Sequence, residues 1–368
     1  MAFAVDLNAL GAVPGMLHRL AGDARACHDY AAAPYAAMNG PVPGLDADNG
    51  AGLINRLAGN HARIHREVLG FLAGIGDLAD RQGRAVAEVV AGYAAVDRRN
   101  AQALDSLLAP TALDPGPGRV QSLQPQWEQV RAPEPLRPTV WLKPLADHRA
   151  TVPYQPSWTD LLSPTSLARD AIWYLTGLAA RAGLCERARD PMDDLVTPLV
   201  GDWAGMRACG QALGHLAEAT RALASNAGWI GLRVEGAWLG NAADACWTRL
   251  RRLELALSRA PDALGRMSSA YLDVCDRIRD ATELAKFAAT ELLDWTAAAL
   301  LAPETLGISL LVKGVDRLSH VRALIRVYNK ALAIIDTART AVERGDSVLA
   351  GLGLLDVDGD LALPGVPA

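Results

Sequence analysis

His61 and His65 stand four residues apart, a spacing that puts both imidazoles on one face of a helix and can bind a metal. Glu67 is close by, but the glutamate of HExxH is missing and no third ligand follows. The pair therefore reads as a solvated polar face, and no metal is expected. Cys27-His28-Asp29 brings together three residue types used in nucleophilic catalysis. Adjacent helical residues diverge by about 100°, so these three are not expected to form a relay with one another. Asp356, Asp358 and Asp360 alternate like a calcium loop, but Gly359 falls at the fourth position and Pro367 at the twelfth. GxxxxGK[ST] and GxSxG are absent, as is any GxGxxG between a strand and a helix. The expectation is a protein that is not an enzyme and has no cofactor.

Two short patterns remain. Tyr93-Ala-Ala-Val-Asp97 places a phenol and a carboxylate side by side on a helix. Chance supplies about one Tyr-x-x-x-acid match in a chain with 7 Tyr and 41 acids, so the pattern alone says little. Tyr93 also continues the Val86–Val89 apolar stripe and so reads as a core residue. The second pattern, Trp-x-Gly, occurs at Trp203, Trp229 and Trp238. Only Trp238-Leu239-Gly240 lies where two long helices should meet in a tight turn. There Gly240 relieves the backbone and Trp238 lies across the hairpin end.

The elements that position these residues are helices. The chain has 368 residues, 51% of them hydrophobic and 68 of them Ala, the best helix former. Alternating β-branched runs and strand–helix alternation are both missing. The fold class expected is all-α: an elongated bundle of long antiparallel helices in two halves joined by a Pro-rich linker. Eleven of 21 prolines lie between Pro110 and Pro164. The chain divides into a helical half (1–109), a linker (110–162), a second helical half (163–345) and a loosely ordered tail (346–368). In the linker, Trp127, Trp141 and Trp158 read as anchors onto a helical surface.

Asp6 can cap a first helix that ends at about Ala33, just before Pro34. A second helix runs from about Gly52 to Leu108, with one stripe through Leu57, Ile64, Val68, Leu72 and Ile75. In the second half, Ser163-Pro164 and Asp190-Pro191-Met192-Asp193 are start signals. Long helices are expected over Pro198–Arg233, after Gly240 with a kink at Pro261, and over Thr305–Arg344 with Gly345 as the stop.

Net charge is −5, which does not suit a nucleic-acid binder. The five cysteines form no CxxC pair and read as small buried residues. A Cys209–Cys246 disulfide stays open. The opening stretch MAFAVDLNALGAVPG has no basic region and does not read as a Sec leader. Leu284–Val315 is moderately apolar and could contact a membrane after rearrangement.

Order and placement of the two patterns carry a resemblance. Val89 to Ala101, with Tyr93 and Asp97, resembles the YxxxD or YxxxE end of the helical hairpin in PE-like proteins associated with type VII secretion. Glu235 to Ala245, with Trp238 and Gly240, resembles the WxG turn of WXG and PPE-like families. Both in one chain are similar to EspB-like proteins, which fuse a PE-like and a PPE-like half. The resemblance implies a folded, non-enzymatic substrate or secretion-associated structural protein of an actinobacterial type VII (ESX) system. Tyr93, Asp97, Trp238 and Gly240 would form one composite signal read by an ESX-type secretion ATPase. A helical WXG partner or self-association is a further implied contact, and a secreted or cell-envelope location follows. The connector, longer and richer in Pro and Trp than a minimal PE–PPE join, departs from the pattern. The alternatives are the N-terminal delivery region of a polymorphic toxin system, or a membrane-active helical protein.

Overall fold

The structure is a computed structural model that describes residues 3–38, 52–95, 136–146, 197–301 and 314–353, with single positions at 103 and between 173 and 195. It is all-α, apart from one pair of two-residue strands. The elements are β1 (Ala4–Val5), α1 (Leu7–Gly11), α2 (Val13–Met38), α3 (Ile54–Ala95), α4 (Trp203–Ala237), β2 (Trp238–Leu239), α5 (Asn241–Leu301) and α6 (Gly314–Ala350). At about 1.5 Å per residue, the 61 residues of α5 extend some 90 Å, which makes the bundle elongated.

Contacts along the helices give their directions. Tyr35 stacks near His61, whereas Gly83 of α3 sits over Leu17 and Pro14, so α2 and α3 are antiparallel. Gly210 abuts Tyr271 and Gly228 abuts Glu254, so α4 and α5 are also antiparallel. A methyl carbon at position 210 would lie 2.8 Å from Tyr271 Cβ. The small residue is what lets the two backbones approach. α6 runs parallel to α3: Arg56 pairs with Glu343, Asn60 bonds Asp346, and Arg63 bonds the carbonyls of Leu349 and Leu352. One continuous core runs through α2, α3, α4, α5 and α6, so the two helical halves share their interior. No helix among the described residues is long and apolar enough to cross a membrane.

Several boundaries differ from expectation. Asp6 does cap α1, its carboxylate accepting from the N–H groups of Asn8 and Ala9, but α1 ends at Gly11 and α2 starts separately. α2 continues through Pro34 to Met38, because Tyr35 is held by stacking on His65 beyond the missing backbone bond. Gly345 does not stop α6. It lies inside the helix against the Val274 side chain, where a Cβ would clash. The tail to Gly353 is clasped by Asn60 and Arg63 instead of being loose. Cys27, Cys209, Cys246 and Cys275 are buried and none is in a disulfide, so the Cys209–Cys246 bridge is not formed. Trp127, Trp158, Ser163-Pro164, Thr305, Cys185 and Asp356–Asp360 lie outside the described residues.

Candidate functional site

The two sequence patterns meet at one end of the bundle. α4 ends at Ala237, and Trp238 takes an extended conformation with φ −146° and ψ 129°. Gly240 follows with φ 135°, a backbone region that strains any residue carrying a Cβ. The chain then re-enters helix at Asn241, with Asp244 N–H donating to Gly240 O. Asp244 is buried in the first turn of α5, where the helix dipole favours an acid.

Sequence reasoning missed what covers this turn. Residues 4 and 5 form β1 and pair antiparallel with β2, Ala4 opposite Leu239 and Val5 opposite Trp238. Asp6 N–H donates to Ala237 O at 2.8 Å. Two residues per strand are too few for an alternating pattern to register, so the signal available was only the apolar Phe3–Val5 run before the Asp6 cap. Phe3 is thereby brought onto Tyr93, with ring centroids 5.4 Å apart and planes at 80°. Tyr93 in turn meets Trp238 edge to face, at 6.0 Å and 78°. Three segments that are 90 and 145 residues apart in sequence thus share one aromatic cluster.

The members differ in exposure. Trp238 is 2% exposed, and its indole N–H has no hydrogen-bond partner among the described residues. Tyr93 is half-buried. Trp238 is therefore the packed interior of the cluster and Tyr93 its outward edge. Asp97 lies outside the described residues. Among the described residues the arrangement offers shape and an aromatic edge.

The other residues considered for chemistry lie elsewhere. His61 and His65 are not on a solvated face. His61 is buried and His65 half-buried, and both line a cavity of about 30 Å³ shared with Pro34, Cys209 and Tyr271. His61 Nδ1 is 2.7 Å from the Tyr271 hydroxyl, and His65 lies flat on Tyr35 at 3.5 Å. Burial pulls the His61 imidazole down to about 4, with a smaller contribution from His65. Burial also pushes the thiols of Cys27, Cys209, Cys246 and Cys275 up to about 12, so they are not thiolates near neutrality. His28 Nδ1 does reach Asp29 Oδ1, at 3.1 Å on the surface, contrary to the divergence expected of neighbours, while Cys27 points into the core. No group of three His, Cys, Asp or Glu among the described residues is placed to hold a metal ion.

Comparisons with protein-family models, with curated proteins and with solved structures yield no match for this chain.

Proposed function

We propose that the chain is a non-enzymatic substrate or secretion-associated structural protein of an actinobacterial type VII (ESX) system, exported folded. In this reading the Tyr93–Trp238 end is its export signal, and a secretion ATPase is the reader. The observation that supports it is the edge-to-face contact of Tyr93 with Trp238, two residues picked out by separate short patterns 145 positions apart. A rigid cluster of this kind lets a partner recognise the cargo without unfolding it, since binding energy concentrates in a few packed aromatic residues.

Within the proposal, exposure divides the work. Trp238 and Gly240 set the shape of the hairpin end from inside, and Tyr93 forms the contacted edge, with Asp97 assigned to the signal by its sequence pattern alone. Tyr93→Ala should then abolish export without unfolding the protein, because a half-buried edge residue is removed. Trp238→Arg should abolish export and also loosen the hairpin end. The measurement compares culture filtrate with cell lysate, alongside circular dichroism of each purified variant. Undiminished secretion of a folded Tyr93→Ala protein sinks the reading.

A further inference from the structure

The Pro-rich stretch touches the bundle in one place among the described residues, and that contact is built from main chain. Residues 136–143 form a strap across α2 and α4, turning once through the 3-10 segment Pro138–Trp141. Asn226 of α4 spends both ends of its amide on this strap. Leu136 N–H donates to Asn226 Oδ1 at 3.0 Å, and Asn226 Nδ2 donates to Leu136 O at 2.8 Å. At the other end, Tyr30 of α2 donates its hydroxyl proton to Lys143 O at 2.6 Å. His215 Nδ1 is 2.6 Å from the same hydroxyl, so its N–H can donate to the Tyr30 oxygen and aim it. Asn226 and His215 are eleven residues apart, about three helical turns, so both lie on one face of α4. The strap thus runs antiparallel to α4, gripped at each end.

The side chains of the strap are used sparingly. Pro138 is buried, whereas Leu136, Val140 and Trp141 are 53%, 66% and 42% exposed. The expected tryptophan anchor is therefore not what holds this stretch: Trp141 lies outward, and backbone bonds with one proline do the holding. Asn226 is itself buried at 9% exposure, where an unpaired amide would cost about 1–3 kcal/mol. A helix face that commits a buried amide to both the N–H and the C=O of one residue reads main chain, whatever the side chains.

We infer that the face of α2 and α4 bearing Tyr30, His215 and Asn226 is a peptide-binding groove for proline-containing segments that make a single 3-10 turn, filled in cis by residues 136–143. A separate peptide of the same chemistry is then its ligand in trans, in competition with the resident strap. Competition follows because a tethered ligand acts at a high effective concentration.

The test uses the full chain and a fluorescent peptide spanning residues 134–145. Pro138→Asp in the chain unseats the resident strap without touching a long helix. Replacing residues 136–143 by Gly and Ser is a second way to empty the groove. Anisotropy titration should show saturable binding to both emptied chains, and at least tenfold weaker binding to the parent chain. Adding Asn226→Asp, which cannot donate to Leu136 O, or Tyr30→Phe, which loses the Lys143 contact, should weaken peptide binding at least tenfold in an emptied chain. Circular dichroism checks that helical content is kept. Absence of saturable binding to both emptied chains overturns the inference. So does an affinity that neither Asn226→Asp nor Tyr30→Phe changes.

Discussion

The Tyr93–Trp238 end and the His61–Tyr271 middle are both aromatic clusters assembled from distant segments, yet they are built to opposite specifications. At the end, apolar rings meet edge to face around a turn, and the half-buried Tyr93 faces outward. In the middle, the buried His61 and the half-buried His65 pack against α2, α4 and α5, and their polar atoms are only partly satisfied. His61 keeps one bond, to Tyr271, and its Nε2 has none among the described residues, as has His65 Nε2. The end is a place where the fold shows an edge. The middle is a place where the fold excludes charge. Residue types with chemical potential therefore do not mark the exposed site here.

Removing the packed ring tests the end most severely. Trp238→Ala should destabilise the protein by about 3–5 kcal/mol, the usual range for deleting a buried aromatic ring. Thermal or urea unfolding reads this, and a loss under 1 kcal/mol would show that the turn does not depend on the ring.

Acid tests the middle. The buried His61 imidazole titrates near 4, while in the unfolded chain it titrates near its ordinary 6.5. Above about 6.5 both states are neutral and stability is flat. As pH falls from 6.5 to 4 the unfolded chain binds a proton that the folded chain refuses, so stability falls, by an amount on the order of 3 kcal/mol. His65 is shifted the same way, by burial and then by the nearby His28. The groups around the pair offer little compensation. Tyr35 and His28 face it from α2, Cys209 from α4, and Tyr271 from α5. Glu67 on α3 is already paired with Arg63. His61→Gln should narrow the gap between unfolding free energies at pH 7 and pH 4.5. An unchanged gap would remove His61 from the acid response, whereas Trp238→Ala should leave that gap intact.

The smallest effect concerns the cover of the end. Asp6→Ala removes the carboxylate that accepts from Asn8 and Ala9, and should cost about 1 kcal/mol. Hydrogen exchange should rise at the β1–β2 pair and stay unchanged around Tyr271. Equal exchange at both places would mean that the cap does not hold the strand in place.

Much of the helical scaffold was legible because it rests on local rules. The stripe through Leu57, Ile64, Val68, Leu72 and Ile75 is buried along α3 as its period requires. The hairpin turn at Trp238–Gly240 follows from a glycine where only a positive φ closes the turn. Legibility failed where a local signal had a tertiary competitor. Pro34 and Gly345 are helix breakers by rule, and both sit inside helices held by partners on another helix. His61 and His65 looked solvated because polarity is the only cue sequence gives. Burial depended on Tyr35 and Tyr271 arriving from other helices. Trp141 looked like an anchor because it is large and aromatic, yet the anchor is the buried amide of Asn226.

The helical class, the apolar stripes and the place of the Trp238 turn are local properties of the chain, because propensity, periodicity and glycine act within a few residues. Packing between distant segments is what joins Phe3, Tyr93 and Trp238 in one cluster, buries His61, and seats the Pro-rich strap on Tyr30 and Asn226. Those contacts join residues from 26 to 210 positions apart, and no local rule fixes which side chain reaches across such a distance.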